Sequence, residues 1–315
     1  MPALVSILIP CRNAAPWLAE TLQSALTQTW KPCEVILVDD ASTDHSLAVA
    51  SRYLSQGLKI LSGSGRNAAS ARNLAYQACS GDYIQYLDAD DLLAPDKIEH
   101  QVHLMQQGQS DQLISGVWLP FSKTLQDAHP FANPACRDFP DPLDFLLQHY
   151  NGGGMMQPAA WLTPRFLLDR VGPWNEELTL NDDGEFFARI MLASSGIRHC
   201  PQALSYYRRG HGSTLSRRKD PAALHSLKQS IQLNTTAMLH RKNSPEVHQA
   251  ICNAWWKLAH DLYPADTSSS QECEAMARAH GTPTRPFECG PRLHLLVSLF
   301  GWRHAKRLAY LLPGF

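Results

Sequence analysis

The 315-residue sequence lacks the features that place a chain quickly, and each absence excludes something. Charge imbalance is missing: 28 Lys and Arg stand against 29 Asp and Glu, a formal net charge of −1. A chain this close to neutral carries no electrostatic footprint for nucleic acid, so no nucleic-acid partner is expected. The eight cysteines (Cys11, Cys33, Cys79, Cys136, Cys200, Cys252, Cys273 and Cys289) include no Cys-x-x-Cys pair. That scatter argues against a zinc site and a compact disulfide framework, and for a reducing compartment. No apolar run approaches the roughly 20 residues that a membrane-spanning helix needs. Met1-Pro2-Ala3-Leu4-Val5 has neither the basic region nor the long apolar core of a secretion signal. A cytoplasmic protein is expected. With 44% hydrophobic and 18% charged residues, the composition is that of a globular chain long enough for one large or two modest domains.

What is present is an alternation. Leu4 to Ile9 is nearly unbroken apolar sequence and reads as a strand buried on both faces. It stops at Pro10, and Cys11-Arg12-Asn13 lead to a helical pattern over Trp17 to Thr27. Val35 to Val38 is a second strand, ending at Asp39-Asp40, with Ser42-Thr43-Asp44 available to cap a helix over Leu47 to Leu54. Leu58 to Leu61 is a third, followed by Ser62 to Asn67 and an alanine-rich helix, Ala68 to Ala78, carrying Arg72 and Asn73. Tyr83 to Leu87 is a fourth. Such alternation predicts an open α/β sheet with right-handed crossovers, and ligands in these sheets bind beyond the carboxyl ends of the strands. Polar residues collect there strand after strand: Pro10 to Asn13, Asp39-Asp40, Gly65 to Asn67 and Asp88 to Asp91. Gly63-Ser64-Gly65 does not fit the dinucleotide fingerprint, which belongs after the first strand.

Two acidic constellations stand out. Asp88, Asp90 and Asp91 set three carboxylates within four residues. Unpaired burial of all three would be resisted by mutual repulsion, and a hard cation such as Mg²⁺ or Mn²⁺ relieves it. The plainer reading is a solvated turn in which Asp91 caps a helix starting near Leu92. Further on, Asp182-Asp183-Gly184-Glu185 opens a helix whose Phe186, Phe187, Ile190 and Met191 face inward. Here too helix capping is the plainer reading.

The series VSILIPCRN, EVILVDDASTD, GRNAASARN and GDYIQYLDADD, covering roughly residues 4 to 91, resembles a family 2 glycosyltransferase of the GT-A fold. The resemblance implies an inverting, metal-dependent enzyme using a nucleotide-diphosphate sugar, with UDP the favoured nucleotide. It implies a Rossmann-like mixed sheet flanked by helices, with a helical C-terminal extension. By the same resemblance Pro10, Arg12 and Asn13 border the nucleotide pocket and Asp40 accepts from the uracil N3–H, with Asp39 and Asp44 nearby. Arg66 and Arg72 face the base or the diphosphate, Ala89 lines the donor site, and Asp88 and Asp90 hold the metal. The run from Leu180 to Arg189 resembles the family's acidic catalytic motif, with Asp183 as the base that takes the acceptor hydroxyl's proton. Asp182 stands where a Glu is usual and Gly184 where an aromatic is common. Asp182 and Glu185 are then acceptor-side residues, Glu185 orienting the acceptor or an internal basic residue.

Tyr206-Tyr207-Arg208-Arg209-Gly210-His211 resembles a segment in which His211 completes the metal or diphosphate site, and Arg217-Arg218-Lys219 reads as a loop able to close over the diphosphate. Gly153 and Gly154, in a stretch demanding permissive backbone, are assigned to acceptor contacts. Ala159 to Leu162 reads as a strand. From Pro221 the pattern is helical, with helices over His225 to Leu239 and Val247 to Tyr263 and a break at Ser268-Ser269-Ser270. Arg292 to Leu312 is basic and amphipathic, packing on the catalytic domain or lying peripherally on the inner face of a membrane. The expected organisation is a catalytic domain over 1–220, with a nucleotide-binding half to 105 and an acceptor half from 106, then a helical region over 221–315. The acceptor is expected to be a glycan or lipid-linked glycan. Alternatives are a nucleotide-sugar-binding scaffold without catalysis and a metal-dependent nucleotidyltransferase. The latter would want a basic, glycine-rich triphosphate loop where Pro10 to Asn13 stand.

Overall fold

The computed structural model describes residues 2–210, 220–285 and 291–311, with side chains of the last segment from 295 onward. His211 and Arg217 to Lys219 lie outside the described residues. The chain forms two compact units, residues 1–145 with 154–230 and residues 146–153 with 231–315.

In the first unit, β1 (Val5–Cys11) is buried along its whole length, which is why its sequence shows no alternation. Helix α1 (Leu18–Leu26) turns Leu18, Leu22 and Ala25 into the core at helical spacing. Strand β2 (Cys33–Asp39), helix α2 (Ser46–Ser51), strand β3 (Leu58–Ser62), helix α3 (Ala68–Ala78) and strand β4 (Tyr83–Tyr86) follow. These strands run parallel in the order β3-β2-β1-β4, and β7 (Thr163–Pro164) closes the row antiparallel to β4. Register pairs Cys11 with Asp39 and Leu8 with Tyr86. Parallel direction and matched register therefore open the loops after β1, β2 and β4 onto one edge of the sheet.

A second sheet of order β5-β8-β6 comprises β5 (Leu92–Leu93), β6 (Leu113–Phe121) and β8 (Ile197–Arg208). Two expectations change here. Leu92 does not open a helix: it pairs with Tyr206 in β5, and α4 begins only at Lys97 (Lys97–Gln106). Asp91 consequently caps nothing. Of Ala159 to Leu162, the first two belong to a single 3₁₀ turn over Pro158–Ala160 and Leu162 makes only an isolated bridge to Ile114, the strand beginning at Thr163. Helices α5 (Pro142–Tyr150), α6 (Arg165–Val171) and α7 (Asp182–Ala193) complete the elements up to β8.

Helix α8 (Pro221–Arg241) runs past the division at residue 230. The second unit further holds α9 (Pro245–Leu262), α10 (Thr267–His280) and α11 (Pro291–Leu311). Ser268 to Ser270 do not break the helical run. The Asp266 side chain accepts from the Ser269 N–H at 2.9 Å and caps α10, and the Ser270 hydroxyl donates to the Ala259 carbonyl at 2.8 Å. Among the described residues no helix is long and apolar enough to cross a membrane.

Candidate active site

The rim over β1, β2 and β3 is held by short-range hydrogen bonds. Asn13 donates its N–H to the Ser42 hydroxyl at 3.0 Å, and its side-chain oxygen accepts from the Thr43 N–H at 2.8 Å, tying the first loop to the second. Asp44 accepts from the Ser46 N–H at 2.9 Å and the Ala15 N–H at 3.0 Å. Burial works against its charge, but these bonds and one from the Ser46 hydroxyl hold the carboxyl below its ordinary range. Asp40 is buried; one oxygen accepts from the Gly65 N–H at 2.7 Å, and Arg12 stands 4.0 Å from the other while donating to the Gly65 carbonyl at 2.8 Å. A Cβ on Gly63 would lie 2.6 Å from Asp40 Oδ1, and Gly65 has φ +77°, so the glycines serve to let this loop close on Asp40. Asp39 is buried with its Oδ1 unpartnered, and Pro10 is an interior strand residue opposite Val38.

Among the described residues, three non-glycine residues take positive φ: Asn13 (53°), Ala41 (56°) and Asn181 (58°). All three sit in the loops that carry the candidate residues, where local strain is typically retained for positioning.

At the centre stands Arg72. Its guanidinium, nearly inaccessible, donates to Asp88 Oδ1 and to Asp182 Oδ2, each at 2.8 Å, and lies 4.4 Å from the centre of the Trp174 ring. Burial would favour loss of its proton, but Asp88 and Asp182 outweigh that and push the group above its ordinary range. Trp174 stacks on Phe186 at 4.0 Å, and Tyr86 meets both edge-on, giving the guanidinium a rigid aromatic floor. Arg72 thus joins the end of β4 to the start of α7 and is covered by its partners. Asp182 likewise spends one oxygen on Arg72.

Asp183 lies beside this bridge, its Oδ1 accepting from the Gly184 N–H at 2.9 Å. Desolvation and the neighbouring Asp182 push its carboxyl up to about 6, against the pull of Arg72. Glu185 is turned inward: both oxygens take Arg189, at 2.7 and 2.9 Å, and Arg189 also donates to the carbonyls of Val171 and Pro173. Of its two expected partners the internal basic residue is the one it meets. Gly154 (φ +91°) lies against Asn133 and Ala135, and a Cβ on Gly153 would collide with Gln148, so local loop closure accounts for both.

Asp91 is buried; one oxygen accepts from the Arg208 N–H at 2.9 Å and the other has no partner. Burial first, then Asp90 and Asp88, push it well above the carboxylate range. Arg208, fully buried between the Trp17 and Phe121 rings, donates to the Asp90 carbonyl at 2.9 Å and to Glu20 at 2.6 Å, clamping the acidic turn. Ala89, also buried, accepts from the Thr21 hydroxyl through its carbonyl at 3.0 Å. Among the described residues no three His, Cys, Asp or Glu side chains converge on one point. A cation held by Asp88 and Asp90 would have two carboxylates and would draw the rest of its shell from diphosphate oxygens and water. The crowding felt by Asp91 is the excess of negative charge such a cation offsets.

Glu176 and Trp174 were not anticipated. Glu176 accepts from Arg66 at 2.8 Å and from the Asn73 amide at 2.9 Å, and its carbonyl accepts from Asn67 at 2.8 Å. Asn73 also exchanges bonds with the backbone of Trp174. The one sequence signal was Asn73 itself, an amide on the inner face of an otherwise alanine-rich helix.

Residues 6–168 match the family model described as glycosyl transferase family 2, more than half of the chain. The chain belongs to that family. An uncharacterized glycosyltransferase of Rickettsia typhi is 32% identical over 199 residues, 61% of this chain and 60% of that protein, so the chain spans less than two thirds of that relative. An Escherichia coli relative, the UDP-Glc:alpha-D-GlcNAc-diphosphoundecaprenol beta-1,3-glucosyltransferase WfaP, is 29% identical over 67% of this chain and 79% of its own length. Among solved structures, S. aureus TarS in complex with UDP-GlcNAc superposes with a TM-score of 0.61 at 16% identity, covering 91% of this chain and 94% of that one. The mannosyltransferase PcManGT of Pyrobaculum calidifontis, in complex with GDP-Man and Mn²⁺, gives 0.56 at 19% identity, covering 100% and 89%. The family 2 chain thus has the GT-A fold.

Proposed function

We propose that this chain is an inverting glycosyltransferase that moves a sugar from a UDP-sugar to a hydroxyl of a lipid-linked glycan. The observation that carries the reading is the bridge from Asp88 through Arg72 to Asp182, which joins the donor-side carboxylates to the helix start bearing Asp183. A base must be ionised yet able to take a proton, and a carboxyl pushed up to about 6 meets both needs near neutral pH. As the acceptor oxygen bonds to the anomeric carbon, the bond from that carbon to the diphosphate breaks and the acceptor's proton passes to Asp183. One displacement from the opposite face inverts the anomeric centre.

A divalent cation held by Asp88 and Asp90 supplies positive charge to the diphosphate. Asp40 offers its second oxygen to a ring N–H of the base, and Arg12 beside it offers donors to the adjoining carbonyl. Arg66, half-exposed and steered by Glu176, stands ready for the donor phosphates. UDP is favoured by TarS, whose structures hold UDP or UDP-GlcNAc, and by WfaP, whose name carries UDP-Glc and a diphosphoundecaprenol acceptor.

The test is turnover with a panel of UDP-sugars and a short-chain lipid diphosphate bearing N-acetylglucosamine, with the product's anomeric configuration read by NMR. Inverted product is expected. A retained anomer overturns the mechanism, and no transfer from any nucleotide sugar by protein that binds UDP overturns the catalytic reading.

A further inference from the structure

The second unit leaves one apolar strip uncovered. Leu295, Leu299, Phe300, Tyr310 and Leu311 on α11 are between 58% and 71% exposed. Beyond Gly301 the helix is well anchored. Trp302 packs against His260, Tyr263 and Trp256 with ring centres 4.3 to 5.8 Å apart, and Ala305 is fully buried. Lys306 donates to the His260 carbonyl, and Arg303 donates to Glu274 at 2.6 Å. The part of the helix after Gly301 is held in place by these contacts, and Leu295, Leu299 and Phe300 stand exposed on the part before it. Gly301 (φ +76°, ψ 157°) breaks the helix between Phe300 and Trp302 and re-aims the residues that follow.

Charge decides what fits this strip. Residues 291–311 contain Arg292, Arg303, Lys306 and Arg307 together with His294 and His304, and no Asp or Glu. A second copy of the helix would set like charges opposite one another, a costly juxtaposition. Arg303 and Lys306 are engaged with Glu274 and the His260 carbonyl, whereas Arg307 is exposed. An anionic lipid surface meets both halves of the pattern: headgroup phosphates for Arg307, and the acyl boundary for the exposed leucines and phenylalanine. Among the described residues no helix is long and apolar enough to cross a bilayer.

We propose that α11 docks this chain on an anionic lipid surface, with Leu295, Leu299 and Phe300 entering the headgroup region and Arg307 meeting lipid phosphate. This stands on the second unit alone and is independent of the glycosyltransferase reading.

The experiment is co-sedimentation of the full chain with vesicles of phosphatidylcholine, and with vesicles of equal parts phosphatidylcholine and phosphatidylglycerol. The bound fraction should be at least about tenfold higher on the anionic vesicles and should fall as salt shortens the Debye length. The double variant Leu299→Glu, Phe300→Glu should lose binding while keeping its thermal transition and UDP affinity. Arg307→Glu, which leaves the apolar residues intact and is checked by its thermal transition, should weaken binding several-fold. A wild-type chain that stays in the supernatant with both vesicles overturns the proposal. So do variants that sediment like wild type, or a dimer seen by light scattering that the double variant splits while vesicle binding is unchanged.

Discussion

The two sides of the site are built by different means. The rim over β1 to β3 is organised by turns in which side chains bond to nearby backbone, Asn13 to residues 42 and 43, Asp44 to Ser46 and Ala15, Asp40 to Gly65. The centre is organised by buried ions, Arg72 between Asp88 and Asp182 and Arg208 behind Asp90 and Asp91. Hydrogen-bonded turns suit recognition, because they fix a shape whose charge does not change. Paired ions suit a place where charge is to move, because they keep several carboxylates together and leave Asp183 poised to change its own charge. Each side should therefore fail differently when cut.

The largest effect is expected at the centre. Asp183→Asn should lower kcat by about 10²–10⁴-fold with UDP affinity unchanged, measured by steady-state turnover and calorimetry. Arg72→Ala comes next: leaving Asp88 and Asp182 without their shared partner should cost about 3 kcal/mol in chemical denaturation and depress kcat. Arg72→Lys should rescue it only in part, since one ammonium cannot reproduce the two-pronged contact. On the rim, Asp40→Asn keeps an oxygen for the Gly65 N–H but loses the charge, so UDP should bind about tenfold more weakly while kcat at saturation holds. If Asp40→Asn lowered kcat without touching affinity, the division between recognition and chemistry would be wrong.

The smallest effect is a pH limb. Asp183 must be ionised to accept a proton, and its carboxyl is raised to about 6, so kcat should be near its plateau at pH 7 and half-maximal near pH 6. Below that it should fall about tenfold per unit. Replacing the neighbouring Asp182 with Asn removes the second cause of the upward shift, burial being the larger, and should move the limb to lower pH.

How much of this was legible depends on how locally each feature is determined. The parallel sheet and its polar edge could be read, because buried strands print as continuous apolar runs and their ends as Asp39-Asp40 and Asp88 to Asp91. Asp183 was singled out only by the resemblance of Leu180 to Arg189 to the family's acidic motif. The pairing of Arg72 with Asp182 was not legible, because Asp182 is 110 residues away and no periodicity reports such a partner. Glu176 was missed for the same reason: its contacts to Arg66 and Asn73 span 110 and 103 residues. Leu92 looked like a helix start because an Asp precedes it. Only its pairing with Tyr206, set by tertiary structure, makes it a strand. Ser268 to Ser270 looked like a break because serine is a poor helix former, yet Asp266 caps the turn that contains them.

The central claim, a donor site completed by a cation on Asp88 and Asp90, is tested most directly by calorimetric titration of UDP into the full chain, first with Mn²⁺ and then with chelator. Tight binding with Mn²⁺ that is largely lost on chelation, and lost in Asp88→Asn with Mn²⁺ present, is the predicted result. Equal affinity with and without the metal, or no UDP binding in either condition by folded protein, would contradict it.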